Sequence, residues 1–479
     1  MLISSASRCA PATPDGTSAS APFDFAALRR REFARLDEQE HCYLDYTGSA
    51  LYGASQLHAH TRLLATGLFG NPHSESTTAR ASSALIEQAR GDVLRFLDVD
   101  DTTHVVCFTA NSSAAIKLVA ESYPFDAHTQ LLLSADNHNS INGIRQYARR
   151  AGAKVRILPL NAALELDAPT EAIHAAAIDG PGLLAFPAQS NFSGVLHPLE
   201  LVQRARELGF DVLLDAAAFV PSHRLSLRDC PADFAVLSFY KLFGYPTGLG
   251  ALVMRRDTMS KLRRPWFAGG TVRYASVQAD MHRLHDGVEA FEDGTPDFLG
   301  IAALPAGFAL LDEVGMPRLA ARVAALSADL LERLRPLRHA NEAPLIRIYG
   351  PDETALRGSA LAFNVLDTQG EPLPYAQIEA AARDAGISVR GGCFCNPGAS
   401  EAAFGAEPAR LARCLDTLGD AFTPPRLSAC TGKAAGAVRA SVGLANDTTD
   451  ITRLVELLAT FGAADGRGHR ATAMSPDTQ

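Results

Sequence analysis

Three stretches of this chain carry residue types that could do chemistry together. In FTANSSAAI (108–116) an apolar run ends in small polar residues and passes straight into a helical pattern. The free N–H groups of such a helix start, with Asn111 and the hydroxyls of Ser112 and Ser113, could hold a phosphate. An ordinary N-cap has the same composition. Asp215 ends the apolar run DVLLD, the kind of strand end where open parallel sheets bind ligands, and no Lys or Arg adjoins it. A solvated carboxylate reads as well there. Lys241 follows 26 positions later in SFYKLFGYPTGLG (238–250), flanked by Tyr240 and Phe243 and ahead of a Gly-rich turn. In such surroundings an amine can lose its proton and attack a carbonyl, although a lone lysine is usually a surface cation. Together the three supply a phosphate anchor, an anion for a pyridinium nitrogen and an amine for an aldehyde, which is what pyridoxal 5'-phosphate requires.

The elements that must position them are legible as alternation. Short aliphatic runs at 104–109, 130–135, 154–158, 183–187, 211–215, 234–238 and 250–254 are separated by helical stretches at 114–121, 140–150, 171–178 and 199–208. Strand and helix in alternation predict a mostly parallel sheet wrapped by helices, and runs apolar throughout predict strands buried on both faces. After Thr295 come long Ala/Leu/Arg helices, 296–313 and 317–334. RIYG, SALAFNVL, a helix over 375–385, ISVR, GAVRASV and a helix over 449–461 then predict a smaller α+β unit. The domain reading is a leader at 1–22 and a large α/β domain at 23–315 that includes the N-terminal segment. A small C-terminal domain at 316–462 and a polar tail at 463–479 follow, with leader and tail disordered.

Composition narrows the function classes. The chain has 479 residues, 47% of them hydrophobic, enough for a large core. With 44 basic against 53 acidic residues the net charge is −9, and no dense Lys/Arg block marks a nucleic-acid partner. No apolar run approaches the roughly 20 residues that span a bilayer, and the start lacks a targeting pattern, so the expected location is the cytoplasm. Eight scattered cysteines predict reduced thiols rather than a disulfide framework.

These residues sit in longer stretches that resemble a known family. YLDYTGSALY (43–52), FGNPHSES (69–76), FTANSSAAIKLVAESYPF (108–125), LLDAAAFVP (213–221), SFYKLFGYPTGLGALVM (238–254), FAGGTV (267–272), FEDGT (291–295), VRGGCFCNPGAS (389–400) and GAVRASVG (436–443) are similar to the class V aminotransferases of pyridoxal-phosphate fold type I. Within that family they most resemble the N-terminal cysteine-desulfurase-like domain of molybdenum cofactor sulfurases. The resemblance implies that Lys241 bonds the cofactor and shuttles protons, Asp215 pairs with its ring nitrogen, and His138 stacks on the ring. Asn191 would meet the phenolic oxygen and Ser113 and Ser238 the phosphate, while Thr295 would reach the phosphate of a neighbouring subunit, implying a homodimer. Cys395 matches the desulfurase cysteine that takes sulfur from substrate cysteine as a persulfide while alanine leaves. Arg390 beside it could favour a thiolate, and Arg439 matches the arginine that grips the substrate carboxylate. The plainer readings are a CFC pair of buried thiols, a strand arginine reaching solvent, and a capping role for His73. Zinc on Cys393, Cys395, Cys414 and Cys430 is a further option, but CxC followed by 18 and then 15 intervening residues resembles no compact zinc ribbon, so no metal is expected.

The chain departs from the simpler desulfurases in having Tyr240 before the lysine and Ala218 three residues after Asp215. It departs from the cofactor sulfurases in having Ser400 where they tend to have a third cysteine. The expectation is a cysteine desulfurase or sulfurtransferase acting on L-cysteine and passing sulfur to a separate acceptor, protein or small molecule. The alternatives are a lyase or aminotransferase-like enzyme without a persulfide, and a non-catalytic partner protein retaining the fold.

Overall fold

The computed structural model describes residues 23–463. The expected leader, and the expected tail beyond Ala463, lie outside the described residues. Ala463 itself ends the closing helix, Thr448–Ala463.

Seven strands form the central sheet: β1 (His104–Thr109), β2 (Gln130–Ser134), β3 (Lys154–Leu158), β4 (Gly182–Pro187), β5 (Phe210–Asp215), β6 (Phe234–Ser238) and β7 (Gly250–Arg255). Their order is β1-β7-β6-β5-β4-β2-β3. Strands β2 to β6 run parallel, and β7 is antiparallel to both neighbours, β1 and β6. Strand periodicity sends successive side chains to opposite faces. Leu184, Phe186, Val212 and Leu214 accordingly enter one core, and Leu183, Ala185 and Leu213 the other. Both faces are covered, which is why these runs are apolar without interruption.

A second sheet of β8 (Ile346–Tyr349), β9 (Ala360–Val365), β10 (Arg390–Gly392) and β11 (Ala437–Ser441) has the order β8-β9-β11-β10 and is antiparallel throughout. The N-terminal segment, grouped by sequence with the large domain, hydrogen-bonds to that domain through Ala50 and Gln56 and to the small one as well. Cys42–Tyr43 pairs in parallel with Ile387–Ser388, and Asp45 bridges Ser441. Cys42 and Leu44 are fully buried, so joining this core is what shelters them.

Some elements differ from expectation for local reasons. The helix expected over 140–150 breaks at Gly143 into Asn139–Asn142 and Ile144–Arg150. The helix expected over 296–313 divides into Phe298–Ile301 and Leu304–Val314, with Pro305 in the first turn of the second. The exposed hairpin Val272–Ser276/Met281–Leu284 carries no turn signal strong enough to have been read. Three helices between β10 and β11, Pro397–Phe404, Pro408–Leu418 and Pro424–Thr431, each start on a proline and went unread as well.

The expectation of reduced thiols is corrected at one pair. The second and third of these helices bring Cys414 and Cys430 into a disulfide, with Cα atoms 5.9 Å apart. Neither is therefore available to a zinc site with Cys393 and Cys395. Cys42, Cys107 and Cys230 are free and buried, Cys393 is half-buried and Cys395 is exposed. Among the described residues no single helix is long and apolar enough to cross a membrane.

Leu184 lies in the middle of β4, inaccessible to solvent. Leu184→Ala is expected to destabilise the protein by about 2–5 kcal/mol, read as a lower denaturant midpoint; an unchanged midpoint would contradict the packing described.

Candidate active site

The C-terminal ends of β1, β2, β4, β5 and β6 open onto one cavity of about 430 Å³, lined by Ser113, His138, Asn191, Asp215 and Lys241, with Asn111 and Ser112 at its rim. Sequence reading placed these residues in five separate motifs, and the parallel topology brings them to one sheet edge.

At the β1 end, Asn111 caps the helix Ser112–Ser122, its Oδ1 accepting the Ala114 N–H at 2.9 Å. The capping reading holds for that side chain, while the amides of Ser112 and Ser113 belong to the first helical turn, which has no intrahelical acceptors. Ser113 Oγ lies 2.6 Å from Ser140 Oγ. A Cβ on Gly250 would press into the Asn111–Ser112 peptide, so β7 can pass this close only with glycine there. Ser238, at the end of β6, is 1% exposed and its Oγ has no hydrogen-bond partner. A hydroxyl buried without a partner costs about 1–3 kcal/mol. Ser238 is not among the residues lining the cavity, but it pairs with Gly250 against the Asn111–Ser112 peptide. A phosphate oxygen there would accept its O–H, so the residues present fit the phosphate of pyridoxal 5'-phosphate.

Lys241 sits in the short helix Phe239–Phe243, whose Phe239, Leu242 and Phe243 are buried. Desolvation lowers its pKa below the ordinary lysine value; the nearby Asp215 opposes the shift, and the charges of Arg439 and Arg390 reinforce it. The Cys395 carbonyl accepts the N–H of Asn139, next to His138 on the cavity wall, at 2.7 Å. Asp215 Oδ1 accepts the Ala217 N–H at 3.0 Å, and among the described residues no Lys or Arg pairs with it. It is thus an anion left over for a cationic ligand, the role expected toward a ring nitrogen. Burial lowers the pKa of His138, keeping it neutral. Its Nδ1 accepts the Ser140 N–H at 3.1 Å, which leaves the ring proton on Nε2.

The two arginines are already engaged. Arg390 reaches Asp45 through Nη2 at 2.6 Å and Nε at 3.0 Å, and Arg439 reaches the same carboxylate through Nη2 at 3.1 Å. Arg390 therefore directs its guanidinium to Asp45, where the sequence reading aimed it at Cys395. Arg439 is 2% exposed, and burial pulls its pKa down to about 10. Two guanidinium groups on one carboxylate leave one positive charge for a further carboxylate.

Cys395 lies on a turn after β10. Phe394 and Cys395 are both left-handed, with φ of 55° and 56°. Side-chain residues in that region cost about 1–3 kcal/mol each, and such strain collects at functional sites. Asn191 donates to the Phe394 carbonyl at 2.7 Å, so one N–H of the amide expected to meet the cofactor is already used, and the other remains for the cavity. Thr295 is not in this cavity. It is exposed, 3.3 Å from Asn71 Nδ2, and lines a separate cavity of about 380 Å³ that meets the first at Gly248.

Sequence reasoning gave no role to Asp45, Asp136 or Asn396, although each lies in a motif it singled out. The available signal was a carboxylate or amide inside a run otherwise apolar or small. Among the described residues no cluster of His, Cys, Asp and Glu is placed to hold a metal ion.

The family model described as aminotransferase class V matches residues 42–454. The molybdenum cofactor sulfurase of Arabidopsis thaliana is 33% identical, covering 96% of this chain and 60% of its own. That of Anopheles gambiae is 36% identical, covering 89% and 57%, and that of Homo sapiens 32% identical, covering 94% and 52%. The chain thus spans little more than half the length of these relatives. In fold it is similar to the cysteine desulfurase of Thermococcus onnurineus NA1, with TM-score 0.76, 22% identity and coverage of 93% of this chain and 100% of that one. The cysteine desulfurase CsdA of Escherichia coli has TM-score 0.72 and 22% identity, with coverage of 92% and 99%.

Replacing Ser238 by Ala removes the hydroxyl without enlarging the site. A hydrogen bond to a charged group is worth about 1.5–3 kcal/mol, so Ser238→Ala should weaken pyridoxal 5'-phosphate affinity at least about tenfold in an absorbance titration. Unchanged affinity would remove Ser238 from the phosphate site.

Proposed function

Because the chain belongs to the class V aminotransferase family, we propose that it is a pyridoxal 5'-phosphate-dependent cysteine desulfurase. In this reading it takes sulfur from L-cysteine onto Cys395 Sγ, releases L-alanine and hands the sulfur to an acceptor. The observation that carries the reading is an exposed thiol on a strained turn whose backbone is bonded to Asn191 and to the residue after His138, both on the wall of the cavity that holds Lys241. The named relatives support sulfur chemistry and a molybdenum cofactor as the acceptor class.

Bound pyridoxal phosphate would supply an electron sink for the substrate α-carbon. Ser113, Ser238 and the amides of Ser112 and Ser113 would hold the phosphate, and Asp215 would pair with the ring nitrogen. The charge left over in the Asp45–Arg390–Arg439 group seats the substrate carboxylate. Lys241, whose pKa desolvation lowers, takes the α-proton and returns a proton to the substrate. Cys395, as thiolate, attacks the substrate sulfur, so that an Sγ–S bond forms as the substrate Cβ–S bond breaks. The sulfur passes from thiol to persulfide level while the β-carbon is reduced to the alanine methyl group, and no outside oxidant is needed.

The chain is further proposed to act as a homodimer. Thr295 lies outside the cavity of its own chain, and Trp266, Tyr274, Val277 and Met281 are exposed on and beside the nearby hairpin. Large apolar side chains exposed close together in sequence support an interface there. Light scattering after gel filtration should give twice the 50.9 kDa chain mass; a particle of one chain mass would leave Thr295 without a phosphate to meet.

With cofactor and reductant present, the intact protein should form alanine and sulfide from L-cysteine. Cys395→Ala should lose about a hundredfold or more of that activity while keeping its cofactor absorbance. Equal activity in the variant would make the enzyme a lyase.

A further inference from the structure

The turn that carries Cys395 is tied to the large domain by a buried polar network that the chemistry above does not use. Asp136 is inaccessible to solvent, and three side chains donate to its carboxylate. Asn396 Nδ2 reaches Oδ1 at 2.6 Å, Ser190 Oγ reaches Oδ1 at 2.8 Å, and His197 Nε2 reaches Oδ2 at 2.8 Å. Asn396 directly follows Cys395 and is buried as well. Besides Asp136, its Nδ2 reaches Asn191 Oδ1 at 3.0 Å, and its Oδ1 caps the helix Pro397–Phe404 through the Ala399 N–H at 3.2 Å.

The backbone of the turn is held from the same side. Asn139, three residues after Asp136, donates its N–H to the Cys395 carbonyl at 2.7 Å. Asn191 donates to the Phe394 carbonyl, and its own carbonyl accepts from Arg439 Nη1 at 2.6 Å. A Cβ on Gly398 would collide with the Ala135 carbonyl oxygen, so the helix after the turn lies directly on the loop before Asp136. The loop after β2 thus presents His138 to the cavity while holding the cysteine turn through residues on either side of it.

We propose that Asp136 and Asn396 are positioning residues that hold Cys395 at one docked place against the loops after β2 and β4, which line the Lys241 cavity. The proposal rests on the desulfurase reading for what the thiol does, but the docking itself does not depend on that chemistry. A buried carboxylate with three donors and two consecutive left-handed residues gives the turn one well-defined geometry, and the strain is sustained by these bonds. The sulfur acceptor then has to come to the exposed Cys395 on this turn, because the thiol does not travel out to it.

The test uses the full-length cofactor-loaded protein with Asn396→Ser and Asn396→Asp. Serine keeps a capping oxygen for the following helix but cannot reach Asp136. Aspartate keeps the shape and the cap but sets a carboxylate against Asp136. Hydrogen exchange of the fragment containing Asn139 reads docking without any turnover. Both variants should exchange the Asn139 amide about tenfold faster or more. Misplacing a reacting group by about 1 Å can cost about a hundredfold, so kcat for alanine formation should fall by that order while KM and cofactor affinity stay within about threefold. Unchanged exchange overturns the proposal, as does faster exchange with unchanged kcat. A parallel loss of cofactor affinity would also overturn it, by making the network merely structural. Should the intact protein form no alanine from cysteine, the desulfurase reading fails, and docking stands or falls on the exchange result alone.

Discussion

The carboxylate of Asp45 is the point on which the arrangement of this molecule turns. It comes from the N-terminal segment and meets Arg390 on β10 and Arg439 on β11, while Arg439 continues to the Asn191 carbonyl in the loop after β4. One anion thereby joins the first described segment, the small sheet and the large one. Removing one partner of a buried ion pair costs about 3–5 kcal/mol because it leaves a charge uncompensated. The parallel pairing of Cys42–Tyr43 with Ile387–Ser388 brings the carboxylate to its place. The same group sets the local electrostatics, since two guanidinium charges against one carboxylate leave a site that favours an anion.

The cavity beside it is defined by polar groups whose capacity the protein leaves unfilled. Ser238 Oγ has no partner, Asp215 has no cation, and Lys241 is depressed by desolvation. They fall on a single edge of the sheet because all the strands supplying them, except β7, run in one direction. The antiparallel β7 contributes differently. Its starting residue, Gly250, lets its backbone press against the Asn111–Ser112 turn at the start of the helix after β1.

The cysteine turn shows strain held in place by hydrogen bonds. Two left-handed residues would relax in a free loop. Here the Asn139 amide, the Asn191 side chain and the capped helix after Asn396 hold both flanks of the turn. The disulfide between Cys414 and Cys430 lies farther along the same excursion from β10 to β11 and ties its second and third helices together. The exposed Cys395 thiol is therefore presented from a braced loop, and the residues bonded to that loop come from those after β2 and β4.

Much of this was legible in the chain itself. Unbroken apolar runs fixed both faces of the central sheet as buried, because a strand covered on one side only would alternate. Lys241, Asp215 and the serines around 113 were legible because their residue types conflict with the apolar strands they follow. The clamp of Asp45 on two arginines lying 345 and 394 positions away was not, nor were the Asp136–Asn396 contact across 260 positions and the Cys414–Cys430 bond. The antiparallel β7 and the joining of the N-terminal segment to the small sheet were equally hidden. Local sequence determines propensity, periodicity and chemical capability, each expressed within a turn or two of chain. Which charge meets which is decided by strand order and direction, and those are settled only when the whole core packs.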